Sequence, residues 1–225
     1  MRYFFNGKVE QQDGIYQIKI PFNVWEVCKK RDIIDANIIL DDLVVECELL
    51  PAKNSKSGTY IIHLMEESVS HLDMDSEHRI EMQIHESLIE IPNSPYSLEQ
   101  PVRKIDGIEL IIQPVDGLCS QTCVAMLAGV TIGDVVSVIG LREWQAMMGN
   151  MVSALDYYGI GHSNTVIFTE GRETVLPKCC IMMEKMGLYC HYLLHYDGKF
   201  YDPNVPVFER YDLSKLQGYL EVTCE

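Results

Sequence analysis

The sequence predicts two domains, an all-β N-terminal half and an α+β C-terminal half, and three observations carry that expectation. Residues 1–91 alternate apolar and polar with a period of two, the pattern of half-buried strands. Residues 91–102 then hold three prolines without any hydrophobic period, the composition of an extended connector. Beyond them helix signals come first and strand-like runs follow, the order of an α+β unit. The boundaries expected are residues 1–92, a linker over 93–106, and residues 107–225. At 225 residues, each half has enough chain to bury a core of its own.

Composition narrows the function classes. The formal charge of -15 is shared by both halves: residues 1–104 carry 11 Lys and Arg against 18 Asp and Glu, and residues 105–225 carry 7 against 15. No basic face is visible, so neither nucleic acid nor an anionic membrane is an expected partner. The N-terminus lacks the apolar run of a signal peptide, no window reaches the length of a membrane span, and a cytoplasmic protein is expected. The eight cysteines are scattered in a chain too long to need stapling, which points to reduced thiols. Cys119, Cys123, Cys179, Cys180, Cys190 and His191 could in principle ligate zinc. They include no Cys-x-x-Cys pair, and adjacent cysteines on a strand face opposite ways, so no metal and no cofactor is expected.

In the N-terminal half, residues 3–9, 16–20, 33–40, 43–49, 60–64 and 80–84 suit six strands, parted by turn-formers such as Asp13-Gly14 and Asp41-Asp42. Residues 21–28 suit a short helix opened by Pro21, and residues 66–72 another. Closure removes the edges of such an antiparallel sheet, so a small barrel is expected. The runs Ile-Lys-Ile-Pro-Phe-Asn-Val-Trp, Val-Glu-Cys-Glu-Leu-Leu-Pro and Gly-Thr-Tyr-Ile-Ile-His-Leu resemble a widespread bacterial domain of unknown function with a six-stranded barrel. That resemblance implies a fold and no activity; a protein partner for the barrel is a separate expectation. His63, His71, His78 and His85 have no metal-like spacing and read as surface or satisfied histidines.

The C-terminal half is organised around Gln113-Pro-Val-Asp-Gly-Leu-Cys119-Ser-Gln-Thr-Cys123, a loop feeding an apolar helix, with residues 107–112 as a lead-in strand. A thiol at a helix mouth sits beside unpaired N–H groups and the positive end of the dipole, which favours the nucleophilic thiolate. Cys119 holds that place, while Cys123 falls among Val124, Met126 and Leu127 and reads as core. Gly129 suits a left-handed helix end, Thr131 and Asp134 a capped second helix ending at Gly140, and residues 150–158 a third helix stopped by Gly159. Strands follow over residues 165–168, 179–183, 190–196 and 199–202.

A cysteine nucleophile needs a base, and the base an orienting acceptor. Asp197-Gly198 between two apolar runs predicts a two-residue hairpin pairing Tyr196 with Lys199 and His195 with Phe200. In that register His191, Leu193 and His195 share a face with Phe200, Asp202 and Asn204, and Asp202 is within reach of both histidines. The register leaves His191 and His195 open as the base.

Gln113 six residues before a helix-opening cysteine, the Ala-Met-Leu-Ala-Gly-Val helix, a His-led apolar strand and a return ending Tyr-Asp-Pro-Asn together resemble papain-like cysteine peptidases. The likeness is nearest to the bacterial branch that clips double-glycine leaders from bacteriocin precursors, and it spans residues 108–207. It implies a papain-like α+β fold and a peptide or protein substrate. It also implies Cys119 as nucleophile, Gln113 as the oxyanion-hole amide, His191 as base and Asp202 as the orienting residue. Ser120 departs from the glycine usual after the nucleophile. The expectation is a thiol hydrolase, foremost a cysteine peptidase working through a thioester, with deamidase or acyl transferase chemistry open to the same residues. The alternative is a non-catalytic binding protein built on a degenerate scaffold.

Overall fold

The structure, a computed structural model, describes residues 1–12, 14–24, 27, 34–41, 43–52, 59–84, 93–140, 146–186 and 189–225. It divides into two units, Met1–Glu86 with Asn164–Phe168, and Ser87–Ser163 with Thr169–Glu225. No single helix among the described residues is long and apolar enough to cross a membrane.

Period-two burial builds the first unit. Its strands are β1 (Arg2–Gly7), β2 (Val9–Gln12), β3 (Ile15–Lys19), β4 (Ile34–Leu40), β5 (Leu43–Pro51), β6 (Tyr60–Leu64) and β7 (His78–Ile84). In β7 the odd-even rule is plain: His78, Ile80, Met82 and Ile84 are buried, and the residues between them are not. The helix expected over residues 66–72 is the single turn α1, Glu66–Val69. That expected over residues 21–28 falls partly outside the described residues, as does His85.

The expected closed barrel does not form. The strands run in the order β8-β1-β7-β4-β5-β6-β3-β2, where β8 is His162–Phe168. Neighbours pair antiparallel except β1 with β8, whose pairing is parallel, Tyr3 opposite Val166. Among the described residues, β2 pairs with β3 alone and no bond carries it back to β1. The physical reason is that β1 satisfies its second edge with a strand from far along the chain, so closure is not what removes that edge. Apolar packing anchors β8: Val166 is fully buried, and Phe168 stacks on Phe22 with centroids 3.8 Å apart and planes 3° from parallel. Such a ring pair adds about 0.5–1.5 kcal/mol beyond its buried area.

The expectation of a papain-like α+β C-terminal half is corrected by the same strand. Residues 164–168 belong with the first unit, and the chain is mostly sheet, with four described helices of which α1 has four residues. The second unit has the strand order β11-β10-β9-β12: β9 is Cys179–Met186, β10 Tyr189–Tyr196, β11 Lys199–Tyr201 and β12 Leu216–Val222. No expectation covered β12. It is buried at every position but Glu221 and bulges near Gly218, so it shows no period of two.

Among the described residues this unit also holds three α-helices: α2 (Cys119–Ala128), α3 (Ile132–Ile139) and α4 (Met148–Tyr157). Every residue of α2 is buried, as a helix apolar all round must be, and it packs against β10, α3 and α4. Gly129 ends it at φ 66°, and Thr131 with Asp134 forms the reciprocal capping box that starts α3. The stretch expected as a linker is bound to α4. Ser94 Oγ donates to Tyr157 O, Val102 N–H donates to Tyr158 O at 2.9 Å, and a Cβ on Gly159 would meet Ser97 O at 2.2 Å.

Candidate active site

Cys119 is the first residue of α2. Its N-cap, Leu118, makes no side-chain hydrogen bond to the first-turn N–H groups, which point toward the helix mouth. Because α2 packs on β10, that mouth meets the strand carrying His191. Both residues are buried, at 4% and 8% exposure. The Cys119 side chain neighbours His191 closely enough to raise the pKa of the ring, and His191 Nε2 is 2.9 Å from Asp202 Oδ1.

The hairpin places the carboxylate. Asp197 and Gly198, at φ 48° and 80°, form the two-residue turn that the Asp-Gly pair encodes, and Leu194, His195 and Tyr196 pair with Tyr201, Phe200 and Lys199. Strand pairing stops at Tyr201, so Asp202 is released from the ladder and its side chain turns to His191. It is held there by Asn204, whose N–H donates to the same Oδ1 at 2.8 Å in an Asx turn.

The electrostatics follow from these contacts. Burial by itself would depress the His191 pKa. The hydrogen bonds to Asp202 and Cys119, with the charges behind them, outweigh burial and push the imidazole from 6.5 up to about 10. An imidazole of such proton affinity is a fit acceptor for a thiol proton. Cys123, fully buried one turn along α2, behaves oppositely. Burial, then the nearness of Cys119 and Asp202, drives its thiol well above the ordinary range.

His195, the other candidate base, lies elsewhere in the bonding scheme. Its Nε2 accepts the Gly198 N–H at 3.2 Å, which makes Nδ1 the donor to Pro177 O at 2.9 Å, and its ring packs on Phe200. Burial lowers its pKa. Both nitrogens are thus used within the fold. His78 is likewise satisfied, bonded to Asp41 Oδ2 and Asp73 O.

Gln113 joins the cluster from the loop side. Its N–H donates to Pro203 O at 2.9 Å, and its Nε2 donates to Asn204 Oδ1. Its Oε1 is buried and has no hydrogen-bond partner among the described residues. The same side-chain bond forms with both amides turned over, Asn204 donating to Gln113 Oε1, and that arrangement presents the Nε2 donors at the buried position. Asn204 therefore links the Asp202 carboxylate to the Gln113 amide. The hairpin register had put it on the His191 face without giving it a role, and its short polar side chain two residues after an aspartate was the available signal. Ser120, where a glycine was expected, is fully buried and donates to Gln121 Oε1 at 3.0 Å.

One cluster thus holds a buried thiol, a buried imidazole beside it, a half-buried carboxylate on its Nε2 and an amide tied to the same loop. Searches with protein-family models and against curated protein sequences found no match to this chain, and the reading of function rests on these contacts.

Proposed function

We propose that the protein is a thiol hydrolase, most specifically a cysteine peptidase, and the observation that carries this is the juxtaposition of Cys119 at the mouth of α2 with His191, whose Nε2 is bonded to Asp202. In the proposed cycle the Cys119 sulfur attacks the substrate carbonyl as its proton passes to His191. The oxyanion is met by the backbone N–H groups opening α2 and by the Gln113 amide. Collapse expels the amine, which takes its proton from His191, and leaves a thioester. Water attacks the thioester with His191 as base, releasing the carboxylic acid and the free thiol. Asp202 keeps the ring oriented and stabilises its charged form. The order Gln113, Cys119, His191, Asp202 along the chain, which papain-like peptidases share, supports these roles without extending to the fold. A cytoplasmic site of action belongs to the same proposal, supported by the reduced, buried thiols of Cys179 and Cys180.

The test is chemical. Iodoacetamide mapping by mass spectrometry should find Cys119 alkylated well ahead of every other cysteine, and Cys119→Ala should remove both that label and peptide hydrolysis. Cys123→Ala should keep the label and cost about 1 kcal/mol of stability. Fast labelling that survives Cys119→Ala would show that the nucleophile is misassigned.

A further inference from the structure

The stretch leading into the site, residues 108–112, is extended and makes no backbone hydrogen bond among the described residues. Both its ends are held. Gly107 O accepts from the Arg103 guanidinium, and the Gln113 N–H is bonded to Pro203 O. A fixed, part-exposed row of unpaired N–H and C=O groups is a template for another strand. The expected lead-in strand is thus extended but has no partner in the sheet among the described residues.

One face of this stretch is also one wall of a cavity of about 700 Å³. Glu109 and Ile111 line it with Val130 and with Ile132 and Asp134 of α3, over the buried Ala125 and Met126 of α2, so its lining is both apolar and acidic. Arg103, the remaining charged group in the cavity, is engaged by Gly107 O and lies 3.9 Å from Asp106. Asp134 caps α3, while Glu109 is exposed and has no ion pair among the described residues. Met126 is seven residues beyond Cys119 on the same face of α2, roughly 10 Å along the axis. An extended peptide covers that distance in about three residues.

The geometry points to a substrate-binding site: residues 108–112 take an extended peptide as an added strand, and the cavity takes a lysine or arginine side chain about three residues from the reacting carbonyl. The site deepens the hydrolase reading and rests on Cys119 being its nucleophile. The aliphatic stem of the basic side chain packs on Ile111, Val130 and Ile132, and its charge reaches Glu109 and Asp134.

Full-length Cys119→Ala protein, titrated with fluorescein-labelled valine-serine peptides of about ten residues, tests this. The peptides carry a single central Lys, norleucine or Glu. The Lys peptide should bind about tenfold more tightly than the Glu peptide, with norleucine between. Glu109→Lys, a change at an exposed position, should reverse that order. N-methylation of alternate peptide bonds keeps the lysine but removes one edge of donors, and should weaken binding by about tenfold or more. Absent or equal binding of the Lys and Glu peptides overturns the proposal, as does an N-methylated peptide that binds like its parent. The titration needs no nucleophile, so loss of the hydrolase reading would leave a positive result standing. Wild-type hydrolysis of such peptides without any lysine preference would overturn this site alone.

Discussion

His191 and His195 stand on the same face of β10, four residues and roughly 13 Å apart, and the fold gives them opposite chemistry. His191 faces a carboxylate and a thiol, which raise its pKa to about 10 against the depressing effect of burial. His195 faces the Pro177 carbonyl and the Gly198 N–H, so burial prevails and its pKa falls. A backbone carbonyl and N–H hold a neutral tautomer; a carboxylate and a thiol favour the imidazolium. Two residues of one type on one strand face become a ring of raised proton affinity and a structural pin because of what the hairpin sets against each ring.

The sharpest way to break that contrast is His191→Ala. Turnover and fast alkylation of Cys119 should fall by about 10³-fold or more with a melting transition still cooperative, since the thiol loses its proton acceptor. Retention of either rate near wild type would mean that another group serves as base.

Asp202→Asn comes next, with an expected loss of about 10²-fold in turnover. Its more telling readout is pH. In the wild type, the His191 contribution to stability is whole below 6.5 and is lost as pH rises toward about 10. The alkylation profile should show the same group titrating. Removing the carboxylate charge should move that limb to lower pH, and a limb that stays put would show that Asp202 does not govern the ring. His195 has the opposite sign: its lowered pKa makes its contribution whole above the ordinary histidine value and lost as pH falls below it.

The smallest effect on chemistry is expected for His195→Ala. It should leave turnover within about threefold while costing about 1–3 kcal/mol, because Pro177 O and the Gly198 N–H lose their partner and Phe200 loses a packed ring. Calorimetry and a single-substrate assay on one preparation would read both. A large fall in turnover at full stability would erase the distinction between the two rings.

How much of this was legible differs by range. The capping box of Thr131 and Asp134, the left-handed glycine after α2 and the Asp197-Gly198 hairpin all appeared in the sequence, because each is a bargain among residues within a few positions of one another. The hairpin register gave Asp202 two possible histidine partners and could not choose. The choice depends on where α2 packs, since only His191 is met by Cys119. Asn204, the link between carboxylate and amide, was in view without a role because Gln113 is far from it in the chain.

The barrel expectation failed for the converse reason. Alternation tells a strand that it has a buried face, but not which strand will take its edge. β1 gained β8 from more than 150 residues away, where Val166 and Phe168 find their burial against Tyr3 and Phe22. β12 hid its strand character by being buried on both faces. The sequence alone determined the local dihedral choices, the helix mouth at Cys119 and the hairpin that carries Asp202, because backbone propensity and turn chemistry act over a few residues. Only the tertiary structure decided the strand order, the pairing of Cys119 with His191 rather than His195, and the tie between Gln113 and Asn204. Each of these is settled by side chains that meet through burial and not through proximity in the chain.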